Sequence, residues 1–131
     1  MSVLSRESIL GATQLPQEKV YIPALGGHVF VRGMTGAERD AFEASLVVGR
    51  GKSRDVSTAN IRAKLVARCL VTEQGERLFT DAEADALGAV RADVLTPIFS
   101  VAQRLSGVSD EDIDELGKRS EKASSDTSSS N

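Results

Sequence analysis

Apolar and polar positions first alternate and then shift to a helical period along the chain. From Lys19, Val20 and Ile22 fall on one side of an extended segment; after Pro23 and Gly26-Gly27, Val29 and Val31 flank Phe30 in the same way. A period of two marks a strand with one face toward a core, so this stretch predicts a β-hairpin. Gly26 and Gly27 suit positive φ, while Ala24 and Leu25 lengthen the loop beyond two residues. Thr35 and Glu38 form a capping-box signature. It opens a helix carrying Ala41, Phe42 and Leu46, expected to end near Val48-Gly49. Ser57 is placed to cap a second helix with the apolar face Ile61, Leu65, Val66, Cys69 and Leu70. Gly75 then fits a turn between the short extended arms Leu70-Val71 and Leu78-Phe79, a small second hairpin.

Thr80 and Glu83 repeat the capping box and start a short helix through Leu87, stopped at Gly88. The widest apolar face, Val94, Leu95, Ile98, Phe99, Val101, Ala102 and Leu105, predicts the central core helix, ended by Ser106-Gly107. Pro97 inside it demands either a kink or a start at Thr96. Ser109 to Asp112 caps a last helix anchored only by Ile113 and Leu116, amid five acids in residues 110–115. The pattern implies an α+β chain, mostly helical, with a small N-terminal antiparallel β-hairpin. Residues 1–16 form a flexible or short helical arm around Arg6 to Ala12, residues 17–117 the domain, and residues 118–131 a serine-rich tail without core-forming side chains, expected to be disordered.

Length and composition narrow the function. At 131 residues the chain fits one domain. A net charge of −3 is a poor match to coating nucleic-acid phosphates. The aromatics Tyr21, Phe30, Phe42, Phe79 and Phe99 are too few for an extended base-stacking platform, so nucleic acid is not an expected partner. A single cysteine, Cys69, forms no internal disulfide, and the N-terminus lacks the apolar stretch of a secretion signal. No run reaches the roughly 18 apolar residues of a membrane span. A cytoplasmic protein without a membrane partner is the expectation.

Candidate chemistry is sparse. Gly51-Lys52-Ser53 matches the end of a phosphate-binding loop, but the motif's first glycine falls on Leu46 and a helix is expected where a strand should precede it. Residues 49–54 read instead as a mobile basic loop. His28, the only histidine, has no activated Ser or Cys placed near it, since Cys69 lies at a core-facing helical position. One His and one Cys fall short of a zinc site. The acids at 110–115 lack the spacing of a calcium loop. No catalytic, cofactor-binding or metal-ligating residues are assigned, and an enzyme is not expected. Charge is distributed unevenly: residues 50–68 hold six basic side chains against Asp55, and residues 72–93 hold six acids against Arg77 and Arg91. Basic and acidic edges of this kind suit head-to-tail self-association, a charged partner, or pairing within the chain.

The ordered pieces Val20 to Pro23, Gly27 to Arg32 running into Met34 to Phe42, Ala63 to Val71, Gly75 to Asp81, and Val101 to Gly107 with the acidic segment after it resemble the tail assembly chaperones of long-tailed bacteriophages and prophages. The resemblance spans roughly residues 17–119 and rests on order and spacing. It implies a non-catalytic protein in the host bacterial cytoplasm that binds the hydrophobic tape measure protein and keeps it soluble while tail tube subunits polymerise, and that is missing from the mature virion. It also implies possible contact with the tail tube protein, a frameshifted longer form of the chain, and possible homo-oligomers. The family offers no active-site residues. For partner contacts, Ile61 and Leu65 on one helix and Ile98 and Phe99 on another would line an apolar groove, unless the domain's own core consumes them. Arg62, Lys64 and Arg68 would supply a basic rim. The alternative reading is a small nucleic-acid-binding or regulatory module using the basic 50–68 segment.

Overall fold

The computed structural model describes residues 2–49 and 55–116. The loop expected at 49–54 lies outside the described residues except for Gly49, and so do residues 117–131, which include the expected tail.

The N-terminal arm carries one short helix, α1 (Arg6–Leu10). β1 (Gln17–Ile22) and β2 (Gly27–Arg32) then pair antiparallel from Gln17↔Arg32 to Ile22↔Gly27. The loop between them is four residues long, and Gly26 supplies its positive φ of 67°. Alternation decides which side chains go inside: Ile22 and Val31 are buried, and Val20 and Val29 pack on the core. The hairpin is extended by β5 (Leu70–Val71), antiparallel to β2 with Val31↔Leu70, giving a three-stranded sheet in the order β1-β2-β5. The expected second hairpin exists only as an appendix to β5. Val71 bridges to Arg77, and the Leu78 amide donates to the Leu70 carbonyl at 3.0 Å around Gly75, whose φ is 90°.

α2 (Gly36–Ala44) opens with the predicted capping box. The Glu38 amide donates to Thr35 Oγ1 at 3.1 Å, and the Thr35 amide donates to Glu38 Oε1 at 3.0 Å. It ends earlier than periodicity implied, because Val47–Val48 is a strand, β3, paired with β4 (Asp55–Val56). α3 (Ile61–Cys69) corrects a second expectation. Its N-terminal flank is Asn60 in the left-handed region, φ 56°, rather than Ser57, whose hydroxyl accepts from the Ala59 amide at 3.2 Å in the turn before it.

A 3-10 turn (Asp81–Glu83) leads into α4 (Ala84–Gly88), with the Thr80 amide donating to Glu83 Oε1 at 2.8 Å. α5 (Ala92–Ser106) contains Pro97 in its interior, so the start at Thr96 is excluded; Pro97 has no N–H to give to the Asp93 carbonyl. Gly107, φ 68°, closes α5. Residues 110–116 are helical, with the Asp112 amide donating to Ser109 Oγ at 3.1 Å and Leu116 buried as an anchor.

α5 lies across the inner face of the hairpin and against α3, which also contacts α4. The core is aliphatic, built around Ile22, Val31, Leu46, Leu65, Val66 and Ile98 with Phe42 and Phe99. The end of α5 approaches the end of β2 at Gly33, where a Cβ would lie 2.5 Å from the Leu105 carbonyl oxygen. Glycine is the residue that permits this approach.

Candidate interaction surfaces

The two apolar helix faces singled out from sequence meet each other. Leu65 on α3 and Ile98 and Phe99 on α5 are buried together in the core, while Ile61, one turn before Leu65, stays half-buried at the edge of an open groove. A chain this small needs most of its aliphatic side chains to cover one another.

The basic side chains of α3 go three separate ways. Arg68 Nη2 bonds Asp81 Oδ2 at 2.7 Å, and Arg77 Nη2 reaches the other oxygen of the same carboxylate at 2.7 Å. Lys64 Nζ lies 3.5 Å from the Ser45 carbonyl. The Arg62 guanidinium sits over the Phe99 ring, 5.5 Å from its centroid, as a cation–π contact that also covers the edge of the core. The oppositely charged segments therefore meet at Asp81, and the Asn60 side-chain amide donates to Asp85 at 3.0 Å beside them. Among the described residues Arg62 has no carboxylate partner. Arg50, Lys52 and Arg54 lie outside the described residues.

Burial pushes the Cys69 thiol up, opposed by a contact at 3.5 Å with the Ser106 hydroxyl, and leaves it a small hydrophobe. His28 stands on β2 with its ring edge-on to Phe30, centroids 5.6 Å apart. The acids after Ser109 are organised around the helix start. Asp112 accepts from the Ser109 amide at 2.9 Å and lies 3.5 Å from Arg39, and the Ser109 bonds, with Arg39 helping, hold its carboxyl below the usual range. Among the described residues no three His, Cys, Asp or Glu side chains converge as a metal site requires, and no helix is long and apolar enough to cross a membrane.

Among the described residues, two groups of exposed apolar side chains stand out besides that groove. The first is the outer face of the sheet. Register puts Tyr21 directly opposite His28 and Lys19 opposite Phe30, so these four side chains share the face turned away from Val20, Ile22, Val29 and Val31. At the β5 end this face is closed, with Val71 buried. At the β1 end it is open, with Tyr21 63% exposed and Leu25, in the adjoining loop, 68% exposed. The sequence held the signal for this surface: once Val20 and Ile22 point inward, Lys19 and Tyr21 must point outward, and the four-residue loop fixes their partners across the hairpin. The second surface is the N-terminal arm, where no residue of α1 is buried. Comparison with protein-family models, curated proteins and solved structures finds no match to this chain.

Proposed function

We propose that the chain is a non-catalytic binding protein, a phage tail assembly chaperone that holds the tape measure protein in solution while the tail tube forms. The observation that carries the reading is the open sheet face, where Tyr21, His28 and Phe30 stand on one side with Lys19, His28 lies edge-on to Phe30, and Leu25 is exposed in the adjoining loop. Tyrosine and other ring side chains supply large contact area at low entropic cost, and a rigid sheet holds them in place. A long apolar helical partner offers repeated leucine-like side chains to such a surface, and Lys19 at its border tolerates acidic residues beside them. The ordered sequence pieces that resemble the chaperone family supply the identity of the partner. The host cytoplasm, exclusion from the virion, a frameshifted longer form and contact with the tail tube protein follow from the same reading.

The test titrates the purified chain into labelled segments spanning a candidate tape measure protein. At least one segment is expected to bind, with Tyr21→Glu plus Leu25→Glu weakening it by about tenfold or more, equivalent to about 1.4 kcal/mol. Both side chains are exposed, so the variant keeps its core and its circular dichroism. Binding unchanged in the variant contradicts the surface, and binding to no segment contradicts the function.

A further inference from the structure

The N-terminal arm is locally built, yet among the described residues nothing buries any side chain of α1. Ser5 Oγ accepts from the Ser8 amide at 3.1 Å, and the Gly11 amide donates to the Glu7 carbonyl at 2.9 Å, closing α1 at both ends. Four of the eight large apolar side chains exposed among the described residues fall within Val3 to Leu10: Val3 at 98%, Leu4 at 70%, Ile9 at 63% and Leu10 at 61%. A helix of five residues does not hold itself in water, because the first turn is the costly one to form. Its stability must come from packing against something else.

A matching cavity lies elsewhere on the body. Ile61, Ala63 and Leu95 line a groove of about 290 Å³ whose rim carries Asn60, Arg62 and Gly88. This is nearly twice the roughly 150 Å³ that accommodates a benzene ring, which leaves room for two aliphatic side chains. On the rim, Asn60 is in the left-handed region, its side-chain amide donates to Asp85 at 3.0 Å, and its side chain packs so closely on Gly88 that a Cβ there would come within 2.9 Å. Among the described residues, Arg62 on the rim lacks a carboxylate partner and Glu7 on the arm lacks a cation. The arm departs from Pro16, which accepts from the Gly33 amide beside Leu105. The groove lies beside Leu95, about 15 Å back along α5 at 1.5 Å per residue.

We propose that the arm of one copy docks in this groove of a second copy, Ile9 and Leu10 filling it and Glu7 pairing with Arg62. Donor and acceptor surfaces differ, so the contact is head-to-tail and produces a ring or an open filament according to whether the rotation closes. The β1-side sheet face takes no part and stays available for another partner.

The test is sedimentation equilibrium of the full chain alone across a range of concentrations, so its outcome stands apart from the tape measure reading. The average mass is expected to rise with concentration beyond that of one chain. Ile9→Glu plus Leu10→Glu, in the exposed arm, weakens association by about tenfold or more while the circular dichroism of the body is unchanged. Glu7→Arg and Arg62→Glu each weaken it, and the two together restore it. A chain that is monomeric at every concentration overturns the proposal, including a monomer whose own arm becomes protected from hydrogen exchange. Arm variants that associate like the wild type, or a charge swap without rescue, overturn it as well.

Discussion

Replacing Gly33 with alanine tests how the helix and sheet layers are fitted together. The new Cβ would lie 2.5 Å from the Leu105 carbonyl oxygen and 3.1 Å from its carbon. Because these are backbone atoms near the end of α5, no rotamer change relieves the contact; the helix end must retreat by about 0.9 Å to reach the 3.4 Å at which ordinary contact begins. Such a shift loosens Leu105 and Val101, which pack on the core, and strains the Gly33 amide bond to Pro16. Overpacking of this kind costs about 1–3 kcal/mol. Gly27→Ala is the matched control, since it has nothing within 4 Å of its Cβ and, like Gly33, no positive φ; alanine there is neutral or stabilises by less than about 1 kcal/mol. Urea unfolding followed by far-ultraviolet circular dichroism reads both. With a slope of about 2 kcal/mol per molar, Gly33→Ala lowers the midpoint by about 1 M. Equal midpoints for the two variants would refute the close approach of α5 to β2.

Arg77 donates to the Ala67 carbonyl from Nε at 3.2 Å and from Nη2 at 2.9 Å, besides its bond to Asp81. Arg77→Ala strips a partner from the end of α3 and is expected to cost about 1–2 kcal/mol. Arg68→Ala, which loses an ion pair to a half-exposed carboxylate, costs less than about 1 kcal/mol, and that loss shrinks with added salt; urea midpoints at low and high salt separate the two. Burial raises the Glu38 carboxyl, but the Thr35 amide, Arg32, the Thr35 hydroxyl and Arg68 together outweigh it and hold the group below its ordinary 4.5. A group depressed on folding contributes stability that is full above about 4.5 and is lost as pH falls through the lower folded value. Glu38→Gln is therefore expected to be less stable than the wild type at neutral pH and to converge with it in acid, as measured by urea unfolding across that range.

Local chemistry was legible in the sequence, and contacts between distant segments were not. The boxes at Thr35–Glu38 and Thr80–Glu83 and the Ser109–Asp112 cap each lie within four residues, so the pattern that announces them is also the structure that forms. The addition of β5 to β2 joins Leu70 to Val31 across almost forty residues, and a two-residue strand has no periodicity of its own to reveal it. The helical spacing runs on past the end of α2 at Ala44, because Leu46 keeps the period although it enters the core from the turn before β3. Asn60 replaced Ser57 at the start of α3 because a left-handed residue has no side-chain capping signature, only the tolerance of asparagine for that backbone and a bond to Asp85.

The candidate site divides in the same way. Leu65, Ile98 and Phe99 carry an apolar stripe that sequence cannot assign to core or interface, and their packing against each other decides it. Tyr21 and His28 were readable in principle, because the alternation that turns Val20 and Ile22 inward turns Tyr21 outward.

The proposed chaperone role is tested most directly by co-expression of this chain with a candidate tape measure protein, followed by capture through a tag on the chain. The partner is expected to move into the soluble fraction and co-purify with the wild type, and both effects are expected to fall with Tyr21→Glu plus Leu25→Glu. A partner that stays insoluble and uncaptured, also when any frameshifted product is supplied, contradicts it.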